Sequence, residues 1–187
     1  GLCAASMVMS LGFSFESVTA ALSKSTAVKG RAEVVPTGRD FTVIIDYAHT
    51  PDALENVLKT LREIAPEREL ICLFGCGGDR DRTKRPEMAA IAEKLADRIV
   101  ITSDNSRSEN TADIMADIKS GMDISGKAKS LSIEDREEAI RTAIMLADQG
   151  SVILLAGKGH ETYQITEKGK MHFDEREIVI DAFQQNQ

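Results

Sequence analysis

The sequence predicts an α/β fold in which a mostly parallel sheet lies between two layers of helices. First, short apolar segments rich in β-branched residues alternate with longer segments of helical periodicity over residues 41–156. Second, these apolar segments are continuous rather than alternating, as strands buried on both faces require. Third, a turn rich in Gly, Asp or Asn follows most of them. Repeated strand–helix units wind with right-handed crossovers, so we expect one sheet covered on both faces.

The chain begins with a segment that we expect to lie outside this sheet. Small and apolar residues recur at helical spacing over residues 1–22, with a turn signal at residues 12–14. They predict two short helices, followed by a linker over residues 24–30. The start lacks a preceding basic residue and an initiator Met, so it does not resemble a signal peptide. We expect residues 1–28 to be the end of a preceding helical domain in a larger protein, and residues 29–187 to form the main domain.

The strands and helices of the main domain follow in order. Strands are predicted at residues 33–35 and 41–46, the second continuous and β-branched. Thr50 followed by Pro51 predicts the start of a helix, because Thr is a good N-cap and Pro suits the first helical position. Further strands are predicted at residues 70–74, 98–102, 129–132 and 151–156, with helices beginning near residue 86 and spanning residues 111–119 and 134–148.

The pattern changes after the last of these strands. Residues 162–165 and 171–173 have strand character and flank the turn-forming residues 167–170, which predicts a β-hairpin. Asp174 is then placed to cap a final helix that runs to about residue 183.

Composition excludes several classes of function. A net charge of −7 and a pI near 5.1 argue against a nucleic-acid surface. No uncharged apolar run approaches the roughly 20 residues of a membrane helix. The three cysteines, Cys3, Cys72 and Cys76, form neither a disulfide framework nor a metal-binding pair, so we expect a reducing cytoplasm and no metal site. At 187 residues the chain is long enough for one core plus an appendage.

Four polar motifs begin where predicted strands end. They are Asp-Tyr-Ala-His-Thr-Pro-Asp at residues 46–52, Gly-Cys-Gly-Gly-Asp-Arg-Asp at 75–81, Asp-Asn-Ser-Arg at 104–107, and Gly-Lys-Gly-His-Glu at 157–161. Ligands of open parallel sheets bind outside the carboxyl ends of the strands. We therefore expect the four motifs to meet at one edge of the sheet.

Neither glycine-rich motif matches a nucleotide-binding loop. In the motif that starts at Gly75, the third glycine of a dinucleotide fingerprint would fall at Arg80 and is absent. The motif that starts at Gly157 lacks the spacing of a P-loop and the Ser or Thr after its Lys. The chain therefore carries no phosphate-cradling P-loop of its own.

In this order, the four motifs resemble those of the Mur ligases, a family of ATP-dependent amide-forming ligases. Residues 104–107 nearly reproduce the Asp-Asn-Pro-Arg signature of the branch that adds meso-diaminopimelate. The resemblance covers essentially the whole chain. It implies a Rossmann-like three-layer sandwich with a mostly parallel sheet and one antiparallel edge hairpin, the C-terminal domain of these ligases. It also implies that residues 1–28 are the end of a central ATPase domain and residues 29–187 the amino-acid-binding domain.

The resemblance assigns one set of residues to the amino acid. meso-Diaminopimelate carries two carboxylates and two ammonium groups, so its receptor needs both cations and anions. Arginine offers paired hydrogen bonds to a carboxylate, and glutamate pairs with an ammonium group. The residues implied in binding it are Arg80, Asp104, Asn105, Ser106, Arg107, Gly157 and Glu161.

A second set is assigned to the nucleotide. The resemblance implies that Arg31 contacts ATP at the domain junction, that Asp46 accepts the ribose hydroxyls, and that His49 lies near the phosphates. Lys84 and Arg85 either meet phosphate or face solvent. ATP and Mg²⁺ would be bound mainly by the central domain outside this chain, and no catalytic residue is assigned within it.

The implied function is addition of meso-diaminopimelate to UDP-N-acetylmuramoyl-L-alanyl-D-glutamate in peptidoglycan synthesis. The expected partners are therefore these small molecules and ATP, with no nucleic acid, no membrane insertion and a monomeric state. Two alternatives remain open: a sister ligase that adds L-lysine, distinguished by the residue at Arg107, and a domain that binds without catalysis. Ser106 departs from the family's Pro, which leaves the loop freer before a ligand binds.

Overall fold

The computed structural model describes residues 2–24 and 28–184. Residue 1, residues 25–27 of the predicted linker and residues 185–187 lie outside the described ranges. The strands are β1 (Glu33–Val35), β2 (Thr42–Asp46), β3 (Leu70–Phe74), β4 (Arg98–Ile101), β5 (Ser130–Ser132), β6 (Val152–Ala156), β7 (Tyr163–Thr166) and β8 (Gly169–His172). The helices are α1 (Leu2–Ser10), α2 (Phe15–Ser23), α3 (Pro51–Ile64), α4 (Lys84–Leu95), α5 (Thr111–Lys119), α6 (Ile124–Ala128), α7 (Arg136–Leu146) and α8 (Glu175–Gln184).

Six strands form one sheet in the order β1-β2-β6-β3-β4-β5. All neighbouring strands are parallel except β1 and β2, so the antiparallel pair lies at one edge. In the register of the central strands, Ala156 lies opposite Asp46 on one side and Phe74 on the other, and Phe74 lies opposite Ile101. The carboxyl ends of β2, β6, β3 and β4 therefore finish at the same level.

The sheet separates two apolar clusters, which confirms the three-layer α/β sandwich. Side chains such as Phe74 and Leu154 face helices α3, α4 and α5 on one side. Their neighbours along the same strands, Leu73 and Leu155, face helices α7 and α8 on the other side. Strands β3 and β6 are buried along their whole length, as their continuous apolar sequences predict.

Local signals explain where the helices begin. The Thr50 hydroxyl accepts a hydrogen bond from the Ala53 amide at 3.3 Å, and Pro51 occupies the first position of α3, as predicted. The Asp174 side chain accepts a hydrogen bond from the Arg176 amide at 2.9 Å just before α8, so its predicted capping function is confirmed. Helix α4 begins at Lys84, two residues before the predicted start at Pro86, because the first turn of a helix tolerates Pro.

The predicted hairpin is present as β7 and β8, but it forms a two-stranded sheet of its own. Its first strand contacts the loop that follows β4 instead of the edge of the main sheet: the Arg107 amide donates to the Ile165 carbonyl at 3.1 Å. The five-residue helix α6 was not predicted from the sequence. None of the helices within the described ranges is long and apolar enough to cross a membrane.

Candidate functional site

A cleft of about 450 Å³ opens at the carboxyl edge of the sheet. The four motifs meet there, as the strand-end argument predicts. The loops after β2 and β6 contribute Tyr47, His49, Gly157 and Glu161 to its lining. The loops after β3 and β4 contribute Gly75, Gly77, Arg80, Asp104, Asn105 and Arg107. Lys84, at the start of α4, adds a further cation. We call residues 103–107 and 157–165 the β4 side, and residues 46–51 with Arg31 and Lys84 the β2 side.

The side chain of Asn105, on the β4 side, is held by three hydrogen bonds. It is buried, and its side-chain oxygen accepts hydrogen bonds from the Ile165 amide at 2.9 Å and from Lys158 Nζ at 3.2 Å. Its Nδ2 donates to Glu161 Oε2 at 2.9 Å. Because donors lie at the oxygen and an acceptor at the nitrogen, only one orientation of the amide satisfies its surroundings.

Arg107 projects into the cleft from a backbone that few residues adopt. Its φ is +54°, a left-handed value that is uncommon for residues other than Gly, Asn and Asp. Its amide is held by Ile165, and its Nη1 donates to the carbonyls of Gly78 at 2.8 Å and Asn105 at 3.2 Å. Within the described part of the chain its Nε and Nη2 make no hydrogen bond, so both are available to an anion.

The other residues that the sequence predicts to bind the amino-acid substrate differ in how they face the cleft. Arg80 lines it from an exposed position, with Nη1 donating to the adjacent Asp79 carbonyl at 2.9 Å. Gly157 has φ +118°, and a Cβ there would lie 2.8 Å from Asp104 Oδ2, so a side chain would displace that carboxylate. Ser106 is buried and does not line the cleft.

The β2 side is more open. Asp46 does not line the cleft, because its carboxylate accepts hydrogen bonds from the Ala32 amide at 2.7 Å and the Ala48 amide at 2.8 Å. His49 is exposed at the rim, and Lys84 Nζ donates to its carbonyl at 2.8 Å. Arg31 also lies outside the cleft lining.

The aromatic ring of Tyr47 contacts planar and charged groups of the β2 side. Tyr47 has the Arg31 guanidinium 5.0 Å from its ring centroid, and the rings of His49 and His160 lie at 4.6 and 5.0 Å. Planar groups and cations of this kind suit a nucleotide base and phosphates. No cluster of three or more potential metal ligands occurs among the residues that the structure describes.

Arg85 neither meets the cleft nor faces solvent, so both readings of it were wrong. Its side chain is fully buried and donates to Asp117 Oδ2 and Glu109 Oε1, each at 2.8 Å. It therefore ties the start of α4 to α5 and to the loop that precedes α5.

A buried arginine that the sequence did not single out supports the floor of the site. Arg136 donates to the carbonyls of Ser103 at 2.8 Å and Ala156 at 2.9 Å, and so holds the ends of β4 and β6 together. Its Nε and Nη2 also donate to Glu175 Oε1 at 2.9 and 2.8 Å. Burial raises the pKa of Glu175, while the charge of Arg136 opposes that rise. Nothing in the sequence around Arg136 distinguishes it from a solvated helix residue.

Lys158 is the second functional candidate that sequence reasoning missed. Its side chain is fully buried, and its Nζ donates to the Tyr163 carbonyl at 2.9 Å. It lies 3.9 Å from Asp104 Oδ1 and 3.8 Å from Glu161 Oε2. Burial lowers the pKa of Lys158, and the two carboxylates partly offset that effect. Its position between two glycines of a recognised motif was the available signal.

The cysteines do not contribute to the chemistry of the cleft. Cys76 lies under the glycine-rich turn, with its Sγ 3.8 Å from Met88 Sδ. Burial raises the pKa of both Cys72 and Cys76 to about 12. Neither thiol forms a reactive thiolate near neutral pH.

Comparison with known proteins agrees with this geometry. The family described as "Mur ligase, glutamate ligase domain" matches residues 30–159. UDP-N-acetylmuramoyl-L-alanyl-D-glutamate–2,6-diaminopimelate ligase of Geobacillus kaustophilus is 49% identical over 178 residues, which are 95% of this chain and 36% of that protein. The ligase of the same name from Synechococcus elongatus is 54% identical over 169 residues, or 89% of this chain and 33% of that protein.

Solved structures show the same fold. A structure of UDP-N-acetylmuramoyl-L-alanyl-D-glutamate–2,6-diaminopimelate ligase superimposes with a TM-score of 0.79 at 38% identity, covering 99% of this chain and 37% of that one. UDP-N-acetylmuramate-alanine ligase of Thermotoga maritima shares the fold, with a TM-score of 0.66 at 21% identity over 97% of this chain and 36% of that one. The chain spans about a third of the length of the curated relatives it matches. It belongs to the Mur ligase family and contains the glutamate ligase domain of that family.

Proposed function

We propose that this chain is the amino-acid-selecting domain of an ATP-dependent ligase that adds meso-diaminopimelate to UDP-N-acetylmuramoyl-L-alanyl-D-glutamate. One observation carries the proposal: Arg107 presents free guanidinium donors to the same cleft in which Asn105 and Glu161 are held 2.9 Å apart. A cation and an anion on one wall match an amino-acid centre that carries both a carboxylate and an ammonium group.

The proposal matches the charges of the cleft to the two ends of the substrate. Arg107 and Arg80 receive carboxylate, while Glu161 receives the ammonium group of the distal centre. Asn105 donates from its Nδ2, and Gly157 leaves room for Asp104 beside it. The opposite amino group of the substrate then points towards the β2 side, where the acyl group must arrive.

The domain contributes orientation to the reaction. In the proposed ligation, the side-chain carboxylate of D-glutamate takes the terminal phosphoryl group of ATP. The amine of meso-diaminopimelate then attacks the acyl carbon, a C–N bond forms, inorganic phosphate leaves, and the amine gives up a proton. The fixed β4 side holds that amine in one position and excludes water from the acyl phosphate, which lowers the entropic part of the barrier.

The nucleotide is assigned to the β2 side. In this proposal Arg31 and Tyr47 provide a face for the base beside the cleft, and His49 and Lys84 lie towards the phosphates. Each Asp46 oxygen accepts one amide and keeps a second acceptor site, which we assign to a ribose hydroxyl. The Mg²⁺ and most triphosphate contacts belong to protein outside this chain. The apolar side chains that α1 and α2 expose, among them Met7 and Phe15, fit the proposal that residues 1–28 end a preceding domain.

L-Lysine is the alternative substrate, and Arg107 argues against it. Lysine lacks the distal carboxylate, so its binding would leave the two free donors of this guanidinium without a partner in a partly desolvated cleft. We also propose a cytoplasmic enzyme, because ATP and UDP-linked precursors are cytoplasmic and Cys72 and Cys76 are free thiols. A monomeric state stays a prediction from the family resemblance.

A turnover assay tests the proposal. The full-length ligase, given ATP, Mg²⁺ and the UDP-linked dipeptide, should convert meso-diaminopimelate into an amide product of the corresponding mass. The 187-residue chain alone should form no product, because it carries no P-loop. Ligation by this chain alone, or a full-length enzyme that ignores meso-diaminopimelate, would contradict the proposal.

A further inference from the structure

We infer that Lys158 is a positioning residue for the amino-acid substrate, which acts by orienting Asn105 and Glu161. The inference rests on the proposed function, since it takes the β4 side as the receptor of meso-diaminopimelate. Lys158 itself does not line the cleft, but both of its proposed targets do.

The burial of Lys158 calls for an explanation. Lysine is almost never fully buried unless it is paired, because desolvating an ammonium group is costly. Here its Nζ reaches Asn105 Oδ1 at 3.2 Å and the Tyr163 carbonyl at 2.9 Å, with Asp104 and Glu161 within 4 Å. The buried ammonium group is therefore paired mainly with residues that line the cleft on its β4 side.

The effect on Asn105 follows from donor and acceptor chemistry. An Asn side chain that turns by half a rotation exchanges its oxygen and nitrogen positions. Lys158 has only donors, so it donates to the Asn105 oxygen at this position, whereas an Asn105 NH₂ group placed there would have no acceptor. Together with the Ile165 amide, which donates to the same oxygen at 2.9 Å, Lys158 keeps the Nδ2 of Asn105 on the side of Glu161 and of the cleft.

The effect on Glu161 is electrostatic. The ammonium group of Lys158 lies 3.8 Å from Glu161 Oε2 and attracts that carboxylate oxygen. That oxygen already accepts from Asn105, and within the described part of the chain Oε1 accepts no hydrogen bond. Lys158 thus holds Oε2 beside Asn105 and leaves Oε1 for the ammonium group of a ligand.

A second lysine provides a matched control. Lys129 is half-buried and donates to the carbonyls of Glu93 at 2.5 Å and Ala96 at 2.7 Å. It lies at the start of β5, at the amino ends of the strands and therefore at the opposite edge of the sheet from the cleft. Lys129→Met removes a comparable set of lysine hydrogen bonds without touching the site.

The experiment compares Lys158→Met with Lys129→Met in the full-length ligase. Losing a charged hydrogen-bond partner should raise the KM for meso-diaminopimelate by roughly 10- to 100-fold in Lys158→Met. The KM for ATP should stay within about two-fold, and Lys129→Met should change neither constant by more than that. If Lys158→Met loses its fold, Lys158→Gln, which keeps a donor without the charge, should still raise the KM for the amino acid.

A double substitution separates positioning from general stabilisation. If Lys158 acts through Glu161 and Asn105, Lys158→Met should raise the KM of a Glu161→Gln enzyme by a smaller factor than it raises the wild-type KM, because one of its two targets is already altered. Unchanged KM for meso-diaminopimelate in folded Lys158→Met or Lys158→Gln, or full additivity with Glu161→Gln, would overturn the inference. A wild-type enzyme that does not use meso-diaminopimelate would instead overturn the proposed function.

Discussion

The two sides of the cleft are built differently. On the β4 side most polar groups are buried and are joined across long stretches of chain. Asn105 contacts Lys158, Glu161 and Ile165, and Gln164 donates to Ser103 Oγ at 2.9 Å. On the β2 side, Arg31 and His49 are exposed. Most of the polar contacts there are to backbone groups or to Tyr47.

In the proposed ligase, the β4 side has its binding geometry fixed within this chain, whereas the β2 side needs the surface of another domain to complete it. A preorganised polar wall loses little freedom when a ligand binds, so it discriminates by geometry. An open wall gains its shape only when another surface closes over it. We therefore expect substitutions on the β4 side to act on the amino acid and those on the β2 side to act on ATP.

The largest expected effect on stability concerns the buried Arg136–Glu175 ion pair beneath the β4 side. Arg136→Met leaves Glu175 buried without its partner and should lower the free energy of unfolding by about 3–5 kcal/mol. Urea unfolding of the 187-residue chain measures it. Pairing Arg136→Met with Glu175→Leu should recover much of the loss, because well-packed apolar residues replace a buried ion pair with little penalty.

The same helix supplies the control for that prediction. Arg141 pairs with Glu137 at 2.8 Å on the exposed face of α7, and Arg141→Met should cost about 0.5 kcal/mol or less. Equal losses for the two arginine substitutions would show that the floor of the β4 side is no more rigid than the surface of the helix.

A smaller effect is expected on the β2 side. Asp46→Asn keeps one of the two oxygens that now accept the Ala32 and Ala48 amides. In the full-length ligase it should raise the KM for ATP about ten-fold or more, because a charged acceptor is lost, and leave the KM for meso-diaminopimelate nearly unchanged. Asp52→Asn, on the exposed first turn of α3, is the control. A rise in the amino-acid KM alone would contradict the division of the cleft.

The smallest effect is expected at Ser106. Its φ is not left-handed, and within the described residues its amide makes no hydrogen bond, so proline at this position removes no backbone hydrogen bond. Ser106→Pro should stabilise the chain by about 1 kcal/mol or less and leave the KM for meso-diaminopimelate within about two-fold. Thermal unfolding and steady-state kinetics check both. A ten-fold change in KM would mean that the serine itself shapes the loop.

Sequence patterns could predict most of the fold because its signals are local. The strand at residues 70–74 and the helix at residues 111–119 match the observed bounds, and both buried faces follow from continuous apolar runs. Helix α6 was missed because five residues that include a glycine carry too little periodicity. The independent two-stranded sheet of the hairpin was missed because the contacts of Ile165 are with the distant loop at Asn105 and Arg107.

The site was predictable only in part, because many of its contacts join residues that are distant in sequence. The meeting of four motifs follows from strand direction alone, and the cleft confirms it. Buried charges cannot be recognised in this way, because a charged residue in one sequence is most often solvated. Arg136 meets Glu175 from 39 residues away, and Lys158 meets Asn105 from 53. Arg85 was misjudged because its partners lie 24 and 32 residues away.

The central claim is that the β4 side selects the amino acid through Arg107. The most direct measurement is the ratio of kcat/KM for meso-diaminopimelate to that for L-lysine, in wild-type full-length enzyme and in Arg107→Ala. The wild-type ratio should be about 10⁴ or more, since lysine leaves the guanidinium unpaired. Arg107→Ala should cost about 2–5 kcal/mol in kcat/KM for meso-diaminopimelate and collapse the ratio, with the KM for ATP little changed. Equal use of lysine by the wild type, or an unchanged ratio in Arg107→Ala, would contradict the account.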